Sequence, residues 1–339
     1  MRLDTCPLLT TKGNWLACFQ SENCSMNSLD YSLRNTARKT LLMKRYKGNP
    51  ILQPRVENPW ESKLVFNAAA ILLNKQIHIL YRAIGNDGVS RIGYAATLDG
   101  YTITDRSPTP IFKPNSKVEH SGCEDPRLSI FGEKIVMAYT ALKEHDHGQL
   151  YQISLTSIAV ENFLNKSWEW NERLLPFRGI RNKDAVLFPR KINGKYIMFH
   201  RFEPDICVAY SDNLERWYDI KYVFGPRIKS WDNWKVGAAG PPIELNEGWL
   251  MIYHGVSFEK VYSLGVALLD KNEPETVLHR SEMPILFPVE DYERFGKVPN
   301  VVFSCGNVVI DDKVLVYYGA CDSVLCVATY DLAELLPKK

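Results

Sequence analysis

The 339-residue sequence predicts an all-β fold, specifically a five-bladed β-propeller with an N-terminal extension. Three observations point there. Short apolar runs ending on a ring recur five times, turn-forming residues stand just ahead of them, and stripes of helical period are scarce in between. The 17 tyrosines and 8 tryptophans also favour strands and sugar-stacking surfaces over helical bundles.

In chain order, residues 1–42 mix Cys, Asn, Ser and Thr with neither strand nor helix period. They read as an extension, either an arm for self-association, which would make the protein a homo-oligomer, or an over-long start, since Met43 precedes the first recognisable element. Residues 43–339 form the predicted propeller. Its repeats are 75–81, 134–139, 195–200, 248–253 and 313–318, ending on Tyr81, Tyr139, His200, Tyr253 and Tyr318 at spacings of 58, 61, 53 and 65. Turn signals such as Asn74-Lys75, Asn193-Gly194 and Asp311-Asp312 lie upstream, and further short strands such as 91–96 and 264–269 follow. A β-sandwich or a pair of small barrels would also supply many short strands. The fivefold recurrence favours blades repeated around an axis.

Composition excludes several classes of function. Lys plus Arg (41) against Asp plus Glu (39) leaves a formal charge of +2, so no global field recruits nucleic acid or an anionic membrane, and any anion must be held locally. The eight cysteines show no CxxC pairing, so neither a zinc site nor a disulfide framework is indicated, and no other ligand cluster suggests a metal. The start lacks a basic segment followed by a long apolar one, and no apolar run approaches a membrane span. Reduced thiols in a cytoplasmic protein are the expectation.

The chemistry centres on Glu124-Asp125-Pro126-Arg127, two carboxylates, a proline and an arginine at the mouth of a predicted strand. The bland alternative is a solvated turn. Asn67 and Asp125 each stand fourteen residues before their ring, one register in consecutive blades, so both are expected to face the axis. In the third blade the register slips, the nearest carboxylate being Asp184, sixteen before His200. Glu124 is expected on the opposite face of a regular strand. Just after the rings come Arg82, Thr140, Arg201, His254 and Gly319, and Lys235 precedes the fourth repeat. Inward cations without compensating acids suit phosphate, because planar guanidinium donors match its oxygens. The competing reading makes Arg201 or His254 a partner for a nearby carboxylate.

Residues 48–52, 66–69, 80–83, 124–127, 183–189, 234–237, 240–243, 252–255, 262–265 and 317–322 together resemble glycoside hydrolase family 130, the β-mannoside phosphorylases and related β-mannosidases. The resemblance implies a five-bladed propeller and inverting cleavage of a β-mannoside by inorganic phosphate, giving α-mannose 1-phosphate. It places the proton donor at Asp125, acting through the mannosyl 3-hydroxyl. Phosphate is implied at Lys183, Arg201, Lys235 and His254, and the mannosyl unit at Asn67, Arg82, Tyr262 and Asp322. No cofactor is implied beyond phosphate as co-substrate, and the activity is that of a hexosyltransferase.

Phosphate arrives anionic and nucleophilic, whereas an inverting hydrolase needs a second carboxylate to deprotonate water. The cations therefore favour phosphorolysis. A β-mannosidase using water would take Glu203, Asp205 or Asp184 as its base, and a glycan-binding propeller without turnover is a third reading. A five-bladed furanosidase would want three well separated acids. Acceptor recognition is expected in loops such as 141–150 and 290–300, where linkage, 1,2 or 1,4, has no fixed code.

Overall fold

The computed structural model describes residues 42–115, 119–145 and 148–336, so the predicted extension lies outside the described residues except for its last position. The first strand, β1 (Lys44–Arg45), belongs to the last blade. The first blade is β2 (Leu64–Leu73), β3 (Gln76–Ile84), β4 (Ser90–Thr97) and β5 (Ile103–Arg106). The second is β6 (Gly122–Phe131), β7 (Lys134–His145) and β8 (Gly148–Ala159), and the third is β9 (Lys183–Leu187), β10 (Tyr196–Phe202), β11 (Asp205–Ser211) and β12 (Tyr218–Phe224). The fourth holds β13 (Lys235–Ala238), a two-residue β14 (Ile243–Glu244), β15 (Trp249–Val256), β16 (Tyr262–Leu269) and β17 (Val277–Arg280). The fifth is β18 (Val302–Ile310), β19 (Lys313–Ala320) and β20 (Val324–Asp331), and β1 pairs antiparallel with β20 to complete it.

The fold is a five-bladed propeller whose last blade joins the two ends of the described chain. The hairpins form where the sequence predicts. Asn74-Lys75, Asn193-Gly194 and Asp311-Asp312 all take positive φ at both residues, the twist that a tight hairpin turn needs. A single parallel bridge, Ser90 to Gly122, links the first two blades. Another, Tyr262 to Val301, links the fourth and fifth, and the inner strands pack β18 against β2, β2 against β6, β6 against β9 and β9 against β13. Gly306 of β18 must be glycine for this, because a Cβ there would strike the β2 backbone at Ala68–Ala70.

The recurring ring has a buried purpose. Tyr81, Tyr139, Tyr253 and Tyr318 each donate their hydroxyl to a carboxylate from the preceding loop or helix: Glu61 (2.7 Å), Glu119 (2.6 Å), Asp232 (3.0 Å) and Glu293 (2.8 Å). Each acid is fully or almost fully buried and pairs with arginine: Arg106, Arg173, Arg227 with Arg280, and Arg45 in turn. The third blade substitutes neutral groups, His200 Nδ1 against Asn182 Nδ2 at 3.1 Å, and burial drives the His200 pKa down to about 4. Each blade is thereby tied to the loop that precedes it.

A buried acid with two partners should be dearer to remove than a neutral amide. Glu293→Ala leaves Arg45 and Tyr318 unpaired and is expected to cost about 3–5 kcal/mol, whereas Asn182→Ala should cost about 2 kcal/mol. Equilibrium denaturation of both variants checks this, and equal losses would contradict it.

Candidate active site

The inner strands are extended and buried, so their side chains should alternate between neighbouring blades. Three of them break this alternation at a residue of positive φ, and β18 carries a further bulge between Ser304 and Gly306 without one. Phe66 pairs with Arg82 and Ala68 with Tyr81, leaving Asn67 as an extra residue, a β-bulge. In β6, Glu124 pairs with Thr140 and Arg127 with Ala138, so Asp125 and Pro126 share one partner. In β9, Lys183 pairs with Arg201 and Val186 with Phe199, so Asp184 and Ala185 do the same. Asn67, Asp125 and Asp184 lie at φ of 44°, 53° and 56°, a region that Asn and Asp tolerate better than other non-glycine residues. Pro126 sits in the bulge, where it removes no ladder hydrogen bond.

This geometry corrects two expectations. The third blade does not slip at its inner strand, since Asp184 occupies the position of Asn67 and Asp125. The two additional residues before His200 fall in the hairpin instead, which closes on an Ile192–Lys195 bridge. Glu124 does not face away from the site, because the bulge breaks the alternation that would have sent it there. It is buried, ion-paired to Arg82, and 3.5 Å from the Lys183 ammonium.

A cavity of about 400 Å³ opens at this end, lined by Asn67, Arg82, Asp125, Lys183, Arg201, Lys235, Tyr262 and Asp322 among others. These are eight of the nine residues implied by the family resemblance. His254, the ninth, is 0% exposed and lies behind Arg201, with its Nε2 3.2 Å from Arg201 Nη1. Asn67 Nδ2 donates to Asp125 Oδ1 at 2.9 Å, and Arg82 Nη1 reaches the same oxygen at 3.3 Å. Gly319, after the fifth ring, leaves room for Asn67, since a Cβ there would overlap the amide oxygen.

The inward cations are not without acids, as the sequence suggested. Arg201 pairs with Asp184 (2.8 Å) and Glu203 (3.2 Å), and Lys235 with Glu203 (3.3 Å). A guanidinium cannot shed its charge, so its burial demands a counter-ion. Tyr151, Asp184, Glu203, Val298, Val301 and Phe303 also line the cavity. Sequence reasoning missed Phe303 as a site residue, although its pairing with Gly319 puts it in the register of Phe66, Glu124 and Lys183. Tyr151 and Val298 flank or lie within the two loops expected to read the acceptor, and no spacing marked either residue.

Burial raises the Asp322 carboxyl to about 6, with Arg82 pulling the other way. Asp184 is also fully buried, yet Arg201 and His254 outweigh burial and hold it well below the usual carboxylate range. Burial lowers His254, which is therefore neutral at pH 7, and burial with the nearby Arg201 lowers Lys235. No cluster of three or more His, Cys, Asp or Glu among the described residues is arranged to hold a metal. None of the described helices is long and apolar enough to cross a membrane.

The family model described as β-1,4-mannooligosaccharide phosphorylase, glycoside hydrolase family 130, matches residues 42–337. The chain belongs to glycoside hydrolase family 130. Like this family 130 chain in sequence is the 1,2-β-oligomannan phosphorylase of Thermoanaerobacter sp. (strain X514), 41% identical over 86% of this chain and 98% of the relative. The β-1,2-mannobiose phosphorylase of Listeria innocua, solved with β-1,2-mannobiose, superposes with a TM-score of 0.75 at 26% identity, covering 86% of this chain and 98% of that one. A further family 130 structure superposes with a TM-score of 0.77 at 27% identity, covering 88% and 96% of the two chains. That structure represents a family of mannoside phosphorylases that contains glycoside hydrolases targeting β-1,2 mannosidic linkages in Candida mannan.

The raised Asp322 carboxyl has a testable sign. Between about pH 4 and 6 the folded protein keeps a proton that the unfolded chain, with an ordinary value of 3.8, has released. The stability of the wild type relative to Asp322→Asn should therefore fall as pH rises through that window and level off above it. Thermal denaturation of both proteins measures this, and a difference that stays constant from pH 4 to 7 would contradict the assignment.

Proposed function

We propose that this protein is an inverting β-mannoside phosphorylase that transfers a mannosyl unit from a β-1,2-linked mannobiose or oligomannan to inorganic phosphate, and so acts as a hexosyltransferase. The observation that carries this reading is one cavity in which Asp125 shares space with Lys183, Arg201 and Lys235. The β-1,2 linkage is favoured by the likeness to a 1,2-β-oligomannan phosphorylase in sequence and to a β-1,2-mannobiose phosphorylase in structure.

In this reading the mannosyl unit lies among Asn67, Arg82, Tyr262 and Asp322. Asn67 and Arg82 both engage Asp125 Oδ1, which leaves Oδ2 to carry the proton. That proton passes, through the mannosyl 3-hydroxyl, to the oxygen of the leaving sugar as the C1–O bond breaks. Phosphate attacks C1 from the other face, so β becomes α and the product is α-mannose 1-phosphate. Lys183, Arg201 and Lys235 hold the phosphate, and His254 acts from behind Arg201.

The charge inventory supports an anionic co-substrate. Arg82, Arg127, Lys183, Arg201 and Lys235 face Glu124, Asp125, Asp184, Glu203 and Asp322, five against five. When Asp125 carries the proton it will donate, one of those five negative charges is gone. The surplus positive charge calls for an anion in the cavity, which phosphate supplies. A water nucleophile would leave that surplus uncompensated in a partly buried site.

The second reading, hydrolysis, rests on Glu203, whose side chain is 47% exposed at the cavity. Its ion pairs with Arg201 and Lys235 make it a counter-ion in the phosphorylase reading and a base in the hydrolase one. Glu203→Gln is expected to lower turnover less than tenfold, whereas loss of a general base costs about 10²–10⁴-fold. Steady-state rates decide between them.

Asp125→Asn should reduce phosphorolysis by about 10²–10⁴-fold with its melting temperature little changed, because Arg82 keeps Glu124 as a partner. Arg201→Lys keeps a charge beside Asp184 but loses the planar fork, so the KM for phosphate should rise about tenfold and that for mannoside far less. A phosphate KM unaffected by Arg201→Lys would refute the placement of phosphate.

A further inference from the structure

Arg201 ends a long side chain, and a flexible guanidinium makes a poor anion clamp unless something holds it. Two acids touch it, the half-exposed Glu203 and the buried Asp184. Asp184 is 2% exposed, and its two oxygens face different ways. Oδ1 takes Arg127 Nη2 at 3.2 Å, while Oδ2 lies 2.8 Å from Arg201 Nη1 and 3.4 Å from His254 Nε2. Arg127 is itself immobile, 1% exposed, donating to the carbonyls of Ala239 (2.7 Å), Ala238 (3.0 Å) and Asp125 (3.0 Å). One buried pair therefore grips the bulge that carries the acid, the fourth inner strand, and the guanidinium on the phosphate side.

Gly237 supplies an independent observation. It lies opposite His254 in the β13–β15 pairing, and a Cβ there would overlap Asp184 Oδ2 and the His254 imidazole. Its φ is outside the left-handed region, so backbone conformation does not demand glycine. The close approach of Asp184 to His254 does. Arg201 Nε, His254 Nδ1 and Asp184 Oδ2 are buried without a protein hydrogen-bond partner, Oδ2 meeting Arg201 as an ion pair, so the cluster still has hydrogen-bonding capacity to spare.

We propose that Asp184 is the positioning residue of the phosphate site, anchored by Arg127 and admitted by Gly237, which aims Arg201 and seats His254 behind it. This rests on the phosphorylase reading and adds to it a residue that does not itself touch the reacting atoms. Asp184 is not the base of a hydrolase in this arrangement, because it is buried and ion-paired to both Arg127 and Arg201.

Two variants test it from different directions. Asp184→Asn keeps the size and removes the charge; Gly237→Ala keeps every charge and pushes a methyl group into the Asp184–His254 contact. Both are expected to raise the KM for phosphate about tenfold or more, to change the KM for mannoside less than about threefold, and to reduce the thermal stabilisation given by inorganic phosphate alone. If one variant fails to fold, the other carries the test. Equal increases in both KM values, or failure of both variants to fold, would make Asp184 a general structural residue and overturn the proposal. A wild type that saturates with phosphate while both variants keep its phosphate KM also overturns it. A wild type whose rate is independent of phosphate refutes the phosphorylase reading, and the proposal with it.

Discussion

Everything at the site depends on one backbone device, the bulge that places Asn67, Asp125 and Asp184 at positive φ on three consecutive inner strands. Without it, alternation would send these side chains into the packing between blades. Residues held in such conformations cost free energy unless their surroundings over-determine them. Here they do: Arg127 binds the Asp125 carbonyl, Gly319 clears space for Asn67, and Gly237 clears space for Asp184. The same bulge brings Glu124 round to pair with Arg82.

The repeat is used twice, at two depths. Near the base of each loop it ties a blade to the segment before it through a ring and, in four of five, a buried acid with arginine. At the mouth the same strands diverge, giving an amide, an acid held by that amide and Arg82, and an acid that stays ionised. Scaffold and chemistry occupy different positions of one repeat, so the site can vary without loosening the blades. Buried ion pairs are weak evidence for stability but strong constraints on geometry, and geometry is what a site for an anion beside a neutral sugar requires.

The repeats, the hairpin turns and most of the site were legible in the sequence, because strand period and turn chemistry are local. Tyr81, Tyr139, His200, Tyr253 and Tyr318 marked the blades, and the common register of Asn67 and Asp125 marked the axis. Their acid partners stayed hidden, since these lie 20 to 25 residues upstream, in loops or a short helix without a period. Glu124 was misplaced because a bulge inserts one residue with no signature in composition. Asp184 was seen as a candidate base, but nothing in spacing revealed that Arg127, from the second blade, would claim one of its oxygens. Arg201 reaches it from the neighbouring strand of its own blade, whereas His254 comes from the fourth blade, a contact that no spacing shows.

Membership of family 130 and the cavity's charge pattern converge on phosphate as the second substrate. The most direct measurement follows β-1,2-mannobiose by nuclear magnetic resonance, with and without inorganic phosphate. A phosphorylase forms α-mannose 1-phosphate in step with free mannose, and neither product accumulates when phosphate is withheld. Free mannose released at the same rate in both samples, with no sugar phosphate, would contradict the account.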